Sequence, residues 1–360
     1  MKPKYQMIAS EIREMIIHKQ FVEDQPLPTE IELQNTYKVS RQTIRNALSL
    51  LVSEGYLYKK RGSGTYINTQ RSILNTHNTP TKTIGVITTY ISDYIFPSII
   101  RGIEEELTKQ GYSLILSSTN NNVEQELKCL EKMVTHNVDG LIIEPTKSNL
   151  YNPNIATYVT LKELEIPILM INSTYEELEV PCLRIDDIKI CYESTSELIK
   201  NGHKNILFIT KIDDLQGKYR MKGFIKACEE NKLNITNHSI ITYTTETSES
   251  ICEIALKSIH ENPEITGIVC YNDAIAKKII DILIKNGYSI PNDLSIVGHD
   301  NSHINNFEEL TLTTIEHPKE LLGIDAAKSI ISAIETGKRP KGKLYPPQIV
   351  KGNTVKRILP

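Results

Sequence analysis

The chain has 360 residues, enough for two or three domains of the usual size of about 100–200 residues. Its net charge of −3 is unevenly divided, because residues 1–70 hold ten Lys and Arg against seven Asp and Glu while the remainder is acidic. No apolar run approaches the ~20 residues that cross a bilayer, and the charged N-terminus is not typical of a signal peptide, so we expect a cytoplasmic protein without membrane contact.

The first 70 residues carry the start and stop signals of three short helices. Residues 5–19 are amphipathic, and Thr29 with Glu32 fits the capping box at the start of a second helix. After a turn, Ser40 is placed to cap a third helix. In that helix one apolar stripe is formed by Ile44, Ala47, Leu48 and Leu51.

The opposite face of the third helix is polar and basic, with side chains of the kind that bind base edges and phosphates. Residues 56–61 then lead into a Gly-x-Gly turn, which predicts a hairpin with a basic tip. An ordinary helical bundle would explain the apolar stripe but not this order of cap, basic helix and hairpin. We therefore predict a winged helix-turn-helix in residues 1–68. Its expected DNA contacts are Lys4, Glu30, Ser40, Arg41, Gln42, Thr43, Arg45, Arg61, Gly62, Ser63 and Gly64.

Residues 69–82 are polar and lack an apolar period, which is typical of a linker. From residue 83 onward, short apolar strands alternate with helices, as in parallel sheets covered on both faces. One sheet with so many strands is improbable, so we predict two α/β lobes in residues 83–360. A strand near 312–315 and a helix over about 318–335 would return the chain to the first lobe.

Polar and aromatic residues follow the predicted strands, where open parallel sheets bind ligands. Carboxylates and amides bind hydroxyl pairs, Arg donates to sugar oxygens, and aromatic faces cover C–H surfaces. The pattern predicts a small polyhydroxylated ligand, although Asn172, Asp186 and Asn272 are also placed to cap helices. The residues at the strand ends are Thr89, Tyr90, Asp93, Tyr94, Phe96, Glu144, Pro145, Asn172, Asp213, Arg220, Tyr271, Asn272, Asp273, His299 and Asp300.

Other chemistries have weaker support. The six cysteines form no C-x-x-C pair, which indicates free thiols rather than disulfides or zinc. His299 and His303 have the spacing of a helical metal site, but they follow a strand directly, which favours loop geometry. The adjacent acids at 186–187 and 213–214 would suit a glycosidase only if they converged on one bond, which neighbouring acids rarely do. We expect no metal, no cofactor and no enzyme activity.

Two resemblances follow from these motifs. Residues 28–67 resemble the winged helix of GntR-type bacterial regulators, in the pattern from P-x-E-x-x-L through V-S-R-x-T-I-R-x-A-L to G-x-G-T-Y-I. Residues 83 to about 350 resemble the LacI/GalR-type sugar-sensing core, which is related to periplasmic sugar-binding proteins. The matching segments are 84–87, 139–143, 219–224, 270–273, 295–300 and 312–315. The frequent Gly-Tyr-Asp-Asp of that family stands here as Gly-His-Asp-Asn, so we assign no ligand role to His299 or Asn301.

A GntR-type head on a LacI-type body is similar to the arabinose-responsive repressors of Gram-positive bacteria. This resemblance implies a homodimer on double-stranded operator DNA, released when a small sugar effector, L-arabinose, binds the core. A regulator of the same build that senses ribose, another pentose or a purine remains an alternative, as does a sugar-active enzyme or receptor. The sugar contacts implied are Tyr90, Asp93, Phe96, Glu144, Asn172, Arg220, Asn272, Asp300 and His317.

Overall fold

A computed structural model describes residues 4–17, 20–21, 25–53, 56–60, 63–67, 80–304, 306–307 and 309–358. The chain divides into two compact units, and each is described by itself below. The first contains the N-terminal residues up to Thr81 together with Val134–Asn137. The second contains Lys82–Met133 and Val138–Pro360. Most of the linker predicted at 69–82 lies outside the described residues.

The described part of the first unit contains three helices and a hairpin. These elements are α1 (Lys4–Ile17), α2 (Glu30–Tyr37), α3 (Arg41–Ser53), β1 (Leu57–Lys60) and β2 (Gly64–Ile67). The capping box at Thr29 is present, since its side chain accepts from the amide of Glu32 while the Glu32 carboxylate accepts from the amide of Thr29. Helix α2 ends at Tyr37, because the next residue, Lys38, has a φ of 50° that breaks the helical path.

One small core holds this first unit together. The predicted stripe of α3 is buried, and it packs against Ile8, Ile12 and Ile16 of α1. The hairpin is closed by antiparallel pairing of β1 with β2, in which Tyr58 stacks on Tyr66 with ring centroids 5.7 Å apart. Its apolar ends, Leu57 and Ile67, join the same core, so the hairpin is anchored on the helices.

The second unit contains two α/β lobes, as predicted. The first lobe is a six-stranded parallel sheet in the order β15-β7-β6-β5-β3-β4. Its strands are β3 (Thr83–Thr88), β4 (Ser113–Ser118), β5 (Gly140–Ile143), β6 (Ile168–Ile171), β7 (Cys182–Ile185) and β15 (Lys343–Tyr345). The helices that cover it are α4 (Phe96–Lys109), α5 (Val123–Thr135), α6 (Ile155–Glu163) and α11 (Lys319–Thr336).

The second lobe is a four-stranded parallel sheet in the order β11-β10-β8-β9. Its strands are β8 (Ile206–Lys211), β9 (Ile240–Tyr243), β10 (Gly267–Cys270) and β11 (Ser295–Val297). Its helices are α7 (Asp187–Lys200), α8 (Leu215–Glu230), α9 (Ile251–Glu261) and α10 (Asp273–Lys285). One apolar cluster lies under α9 and α10, and another, which includes the stacked rings of Phe208 and Phe224, lies under α7 and α8.

Three stretches of the described chain pass between the lobes. The first links β7 to α7, and the second leaves β11 for α11 through β14 (Thr314–Ile315). The third follows β15 through β16 (Ile349–Val350), which pairs antiparallel with β14, and ends beside β11. A further short pair, β12 (Asn306–Phe307) and β13 (Leu310–Thr311), follows β11. The prediction that the segment around 312–335 returns the chain to the first lobe is confirmed, because α11 packs on α4, β5 and β6.

The sequence prediction missed five strands in the described part of the second unit: β7, β12, β13, β15 and β16. Strand β7 alternates buried with half-buried residues, and β15 is exposed at two of its three residues. These strands lie at or next to the sheet edge or in the crossover, so they lack the continuous apolar run that marks a strand buried on both faces.

Candidate functional site

The polar face of α3 is exposed as predicted. The helix begins at a cap, because Ser40 Oγ accepts a hydrogen bond of 3.2 Å from the Thr43 amide. Burial of the apolar stripe turns the other side of the helix to solvent, including Arg41, Gln42, Arg45 and Asn46. Four long or polar side chains on one exposed face can bind base edges and phosphates together.

Glu30 organises the two arginines of this face. The Nε atoms of Arg41 and Arg45 lie 2.9 Å and 3.1 Å from its carboxylate. The hydrogen bond from Arg41, with that from Arg45, holds the pKa of Glu30 below its usual value despite partial burial. Both arginine side chains remain more than half exposed, so they are aligned without being withdrawn from solvent.

The described residues include part of the predicted wing. Ser63 and Gly64 are described, and Gly64 has a φ of 126°, which a residue with a Cβ rarely adopts. The Ser63 and Tyr66 hydroxyls share a hydrogen bond of 2.6 Å. Arg61 and Gly62 lie outside the described residues. Lys4 begins α1 and is exposed.

A cavity of about 400 Å³ lies between the two lobes of the second unit. It is lined by the carboxyl ends of the strands, which is where parallel α/β sheets bind ligands. The first lobe contributes Thr89, Tyr90, Asp93, Tyr94, Ile95, Phe96, Asn121, Glu144, Pro145, Ser148, Asn172 and Ser173. The second contributes Lys211, Asp214, Gln216, Arg220, Tyr243, Thr245, Ser248, Tyr271, Asn272, Ala274, Ile275, Lys278 and Asp300.

On the first lobe, Glu144 belongs to a network of buried hydrogen bonds. Its Oε2 accepts from the Thr89 amide at 2.9 Å, and its Oε1 accepts from Asn172 Nδ2 at 2.8 Å. Asn172 Oδ1 lies 3.1 Å from His317 Nε2, so that nitrogen carries the proton. Burial raises the pKa of Glu144 and lowers that of His317 to about 4, which keeps the imidazole neutral.

On the second lobe, Arg220 is surrounded by acceptors. Its Nε donates to Asp187 at 3.0 Å, its Nη1 donates to the Tyr271 carbonyl, and its Nη2 lies 3.4 Å from Asp300 Oδ1. Burial opposes ionisation of Asp300, but the nearby guanidinium keeps the pKa of that carboxyl below its usual value. The guanidinium also lies over the Tyr271 ring, 4.8 Å from its centroid.

Lys211 forms a second charged group in the cavity wall. Its Nζ lies 2.7 Å from Asp214 Oδ2 and 3.3 Å from Asp213 Oδ1. Burial opposes the charge on Lys211, but these two carboxylates raise its pKa above the usual value. The Tyr271 hydroxyl donates to the same Asp214 oxygen at 3.2 Å. Lys211 and Arg220 are therefore both paired with carboxylates, which suits a neutral ligand rich in hydroxyl groups.

Two families match the sequence. Residues 81–348 match the periplasmic binding proteins and sugar binding domain of the LacI family. Residues 4–67 match the bacterial regulatory proteins of the gntR family. Both matches agree with the two units of the structure.

Relatives of known role match along nearly the whole chain. The arabinose metabolism transcriptional repressor of Halalkalibacterium halodurans is 42% identical, over 97% of this chain and 96% of its own. That of Geobacillus stearothermophilus is 41% identical, over 99% and 98%. The chain belongs to this family of transcriptional repressors.

A solved structure supports the same fold for the second unit. A periplasmic binding protein/LacI transcriptional regulator from Alkaliphilus metalliredigens, complexed with D-xylulofuranose, matches 76% of this chain and 99% of its own, with 26% identity and a TM-score of 0.64. The predicted fold class, a winged helix-turn-helix with a two-lobed α/β core, is confirmed. The repressor is a DNA-binding transcriptional regulator whose second unit matches the sugar binding domain of the LacI family, and it is not an enzyme.

The structure brings together eight of the nine residues named as sugar contacts in the repressor. His317 is the exception, because its imidazole is fully buried and points to Asn172 rather than to the cavity. The capping alternative holds for Asp186 and Asn272, whose side chains accept from the Lys189 and Ile275 amides. It does not hold for Asn172, which binds Glu144 and His317 instead.

Several cavity residues of the repressor were missed by the sequence prediction. Lys211 and Asp214 flank the end of β8, so the strand-end rule that selected Asp213 would have found them also.

His299 is fully buried, hydrogen-bonded to Ser194 and to the Cys270 carbonyl, and burial lowers its pKa to about 3. Among the described residues, no cluster of His, Cys, Asp and Glu could hold a metal ion, and no helix has the length and apolarity to cross a membrane.

Proposed function

We propose that the repressor is a cytoplasmic homodimer that holds double-stranded operator DNA until L-arabinose binds in the cavity between its lobes. The cavity carries this proposal. Its wall contains carboxylates, an amide and an arginine, together with the rings of Tyr90 and Phe96, whose centroids are 5.9 Å apart. These are the groups that bind the hydroxyls and the C–H face of a sugar, and no cofactor is required.

The size and charge of the cavity favour a monosaccharide. A volume of about 400 Å³ lies at the lower end of the range of about 300–1,000 Å³ for small-molecule pockets. Arg220 and Lys211 already face carboxylates, so neither is left to bind a phosphate or an acid. The two relatives named for arabinose metabolism support L-arabinose as the sugar, and the pentulose in the Alkaliphilus structure supports a ligand of this size.

On the DNA side, winged helices usually occupy two half-sites of a symmetric operator, which requires two protomers. Arg41, Gln42, Thr43 and Arg45 would contact bases and phosphates, and we expect further DNA contacts from the wing predicted at 61–64. Sugar binding changes operator occupancy only if it prefers a form of the dimer whose heads no longer fit both half-sites. Couplings of this kind are typically about 1–3 kcal/mol, or roughly 5–150-fold in affinity.

A gel-shift titration tests the proposal. We expect L-arabinose to weaken operator binding at least about fivefold. D-arabinose, its mirror image, is the matched control, and D-ribose and hypoxanthine represent the other ligand classes. Calorimetry should give one site per protomer for L-arabinose, and sedimentation should give a dimer. Operator binding that is indifferent to L-arabinose but responds to ribose or hypoxanthine would reject arabinose as the effector.

A further inference from the structure

Arg220 and its acceptors form a buried group with one cation and two carboxylates. Arg220 and Asp187 are each 1% exposed, and the distance of 3.0 Å between them is shorter than the 3.4 Å from Arg220 to Asp300. Asp300 lines the cavity, but Asp187 does not. The charge of Arg220 is therefore shared between two carboxylates, and its shorter contact is with the one that lies behind the cavity wall.

The backbone fixes this arrangement. Asp187 is the first residue of α7, and Arg220 lies on α8, which packs along α7. Gly223 allows the close approach, since a Cβ at that position would meet the Ile188 carbonyl oxygen at 2.1 Å. Asp186 caps α7 and thereby holds Asp187 in the first turn, facing α8.

This contact leaves Asp300 available to the ligand. One oxygen of Asp300 accepts from the Tyr94 hydroxyl at 2.7 Å, and the contact of the other oxygen with the described residues is the long one to Arg220. Hydrogen bonds weaken steeply with poor geometry, so this second oxygen keeps capacity for a hydroxyl donor. The two carboxylates against one guanidinium also leave a net negative charge, which opposes an anion in the cavity.

We propose that Asp187 is a positioning residue that makes the cavity selective for a neutral polyhydroxylated ligand over its acidic counterpart. It holds the guanidinium of Arg220 back from Asp300, so that Asp300 accepts from a sugar hydroxyl while Arg220 donates from a fixed orientation. This inference rests on the proposed function, because it concerns the selectivity of the same sugar site.

The test compares L-arabinose with L-arabinonate, the corresponding aldonic acid, by calorimetry on the full-length repressor. Asp187→Asn keeps the shape of the side chain and removes its charge. We work at pH 8, where Asp187 is ionised although burial raises its pKa to about 6. We expect the affinity for L-arabinose to fall about tenfold. The ratio of the affinities for L-arabinose and L-arabinonate should fall by at least the same factor. Asp281→Asn, the same change at an exposed position on α10, should keep the wild-type preference.

A measurement without ligand covers the case in which the variant folds poorly. In wild-type repressor, the Nε–H of Arg220, identified by its loss in Arg220→Lys, should exchange slowly with solvent in NMR spectra because Asp187 accepts it. The inference is overturned if this proton exchanges as fast as that of an exposed arginine, or if Asp187→Asn keeps the wild-type ratio of affinities. Wild-type repressor that binds no neutral sugar would instead overturn the proposed function.

Discussion

The Tyr94 hydroxyl donates a hydrogen bond of 2.7 Å to Asp300 Oδ2. Tyr94 follows β3 of the first lobe and Asp300 follows β11 of the second, so the bond joins the lobes directly. The same hydroxyl accepts from the Asp273 amide at 3.1 Å. Tyr94 has a φ of 60°, an unfavourable conformation for a tyrosine, and its contacts across the cavity help to hold it there.

Tyr94→Phe should weaken the contact between the lobes. The change removes a donor to a buried carboxylate and an acceptor for a buried amide, and it should cost about 1–3 kcal/mol of unfolding free energy. Urea unfolding measures the loss, and calorimetry should show weaker sugar binding. Tyr151→Phe is the control, since that side chain is 85% exposed. Equal stability of the two variants would contradict the role given to this bond.

Arg45→Ala should weaken operator binding. Loss of a bidentate contact to guanine would cost about 1–3 kcal/mol and relax the preference at one base pair, whereas loss of a phosphate contact would mainly reduce the salt dependence. Gel shifts at several salt concentrations distinguish these results. Lys200→Ala, at the exposed end of α7, removes a positive charge from the other unit and serves as the control. If the Arg45→Ala repressor kept the wild-type affinity and salt dependence, the prediction that α3 contacts DNA would be wrong.

Ser148→Ala should reduce sugar affinity more than Lys147→Ala does. Ser148 Oγ accepts from the Leu215 amide of the other lobe at 2.9 Å, and both groups are buried. Its removal leaves a buried amide without that acceptor, a cost of about 1–3 kcal/mol in the form with the lobes together. Lys147 pairs with Glu246, whose side chain is 60% exposed, and such pairs contribute about 0–1 kcal/mol. Calorimetry of both variants gives the order, and the reverse order would contradict this account.

Asp273 should make stability fall as the pH rises from about 4 to about 7. Burial, with the nearby charge of Asp300, raises the pKa of this carboxyl from 3.8 to about 7. The folded protein therefore keeps a proton that the unfolded chain has lost, so the stabilisation is complete below pH 3.8 and is lost as the pH passes 7. Three pKa units correspond to about 4 kcal/mol.

Urea unfolding between pH 4 and pH 8 measures this dependence. We expect Asp273→Asn, which keeps an acceptor for the Thr314 hydroxyl, to show a flatter profile than wild type over this range. Asp281→Asn on the exposed side of the same helix is the control, and it should follow the wild-type profile. Identical profiles for Asp273→Asn and wild type would show that Asp273 does not hold a proton in the folded state.

The sequence by itself determined the winged helix and the alternation of strands and helices. The cap at Ser40, the capping box at Thr29 and the apolar stripe of α3 act over three to seven residues, so local patterns were sufficient to predict them. The strand-end rule also located about half of the cavity wall, because the carboxyl ends of parallel strands meet at one edge of each sheet.

Only the tertiary structure decided which charged residues are paired and which residues are their partners. Asp186 and Asp187 are adjacent acids of equal appearance in the sequence, yet one caps a helix near the surface and the other is buried against Arg220, 33 residues away. His317 likewise follows a crossover strand, and only the packing of the lobes turns it to Asn172 instead of the ligand cavity. Burial and long-range pairing depend on how α7 packs on α8 and how the two lobes pack together. Neither can be predicted from a local sequence pattern.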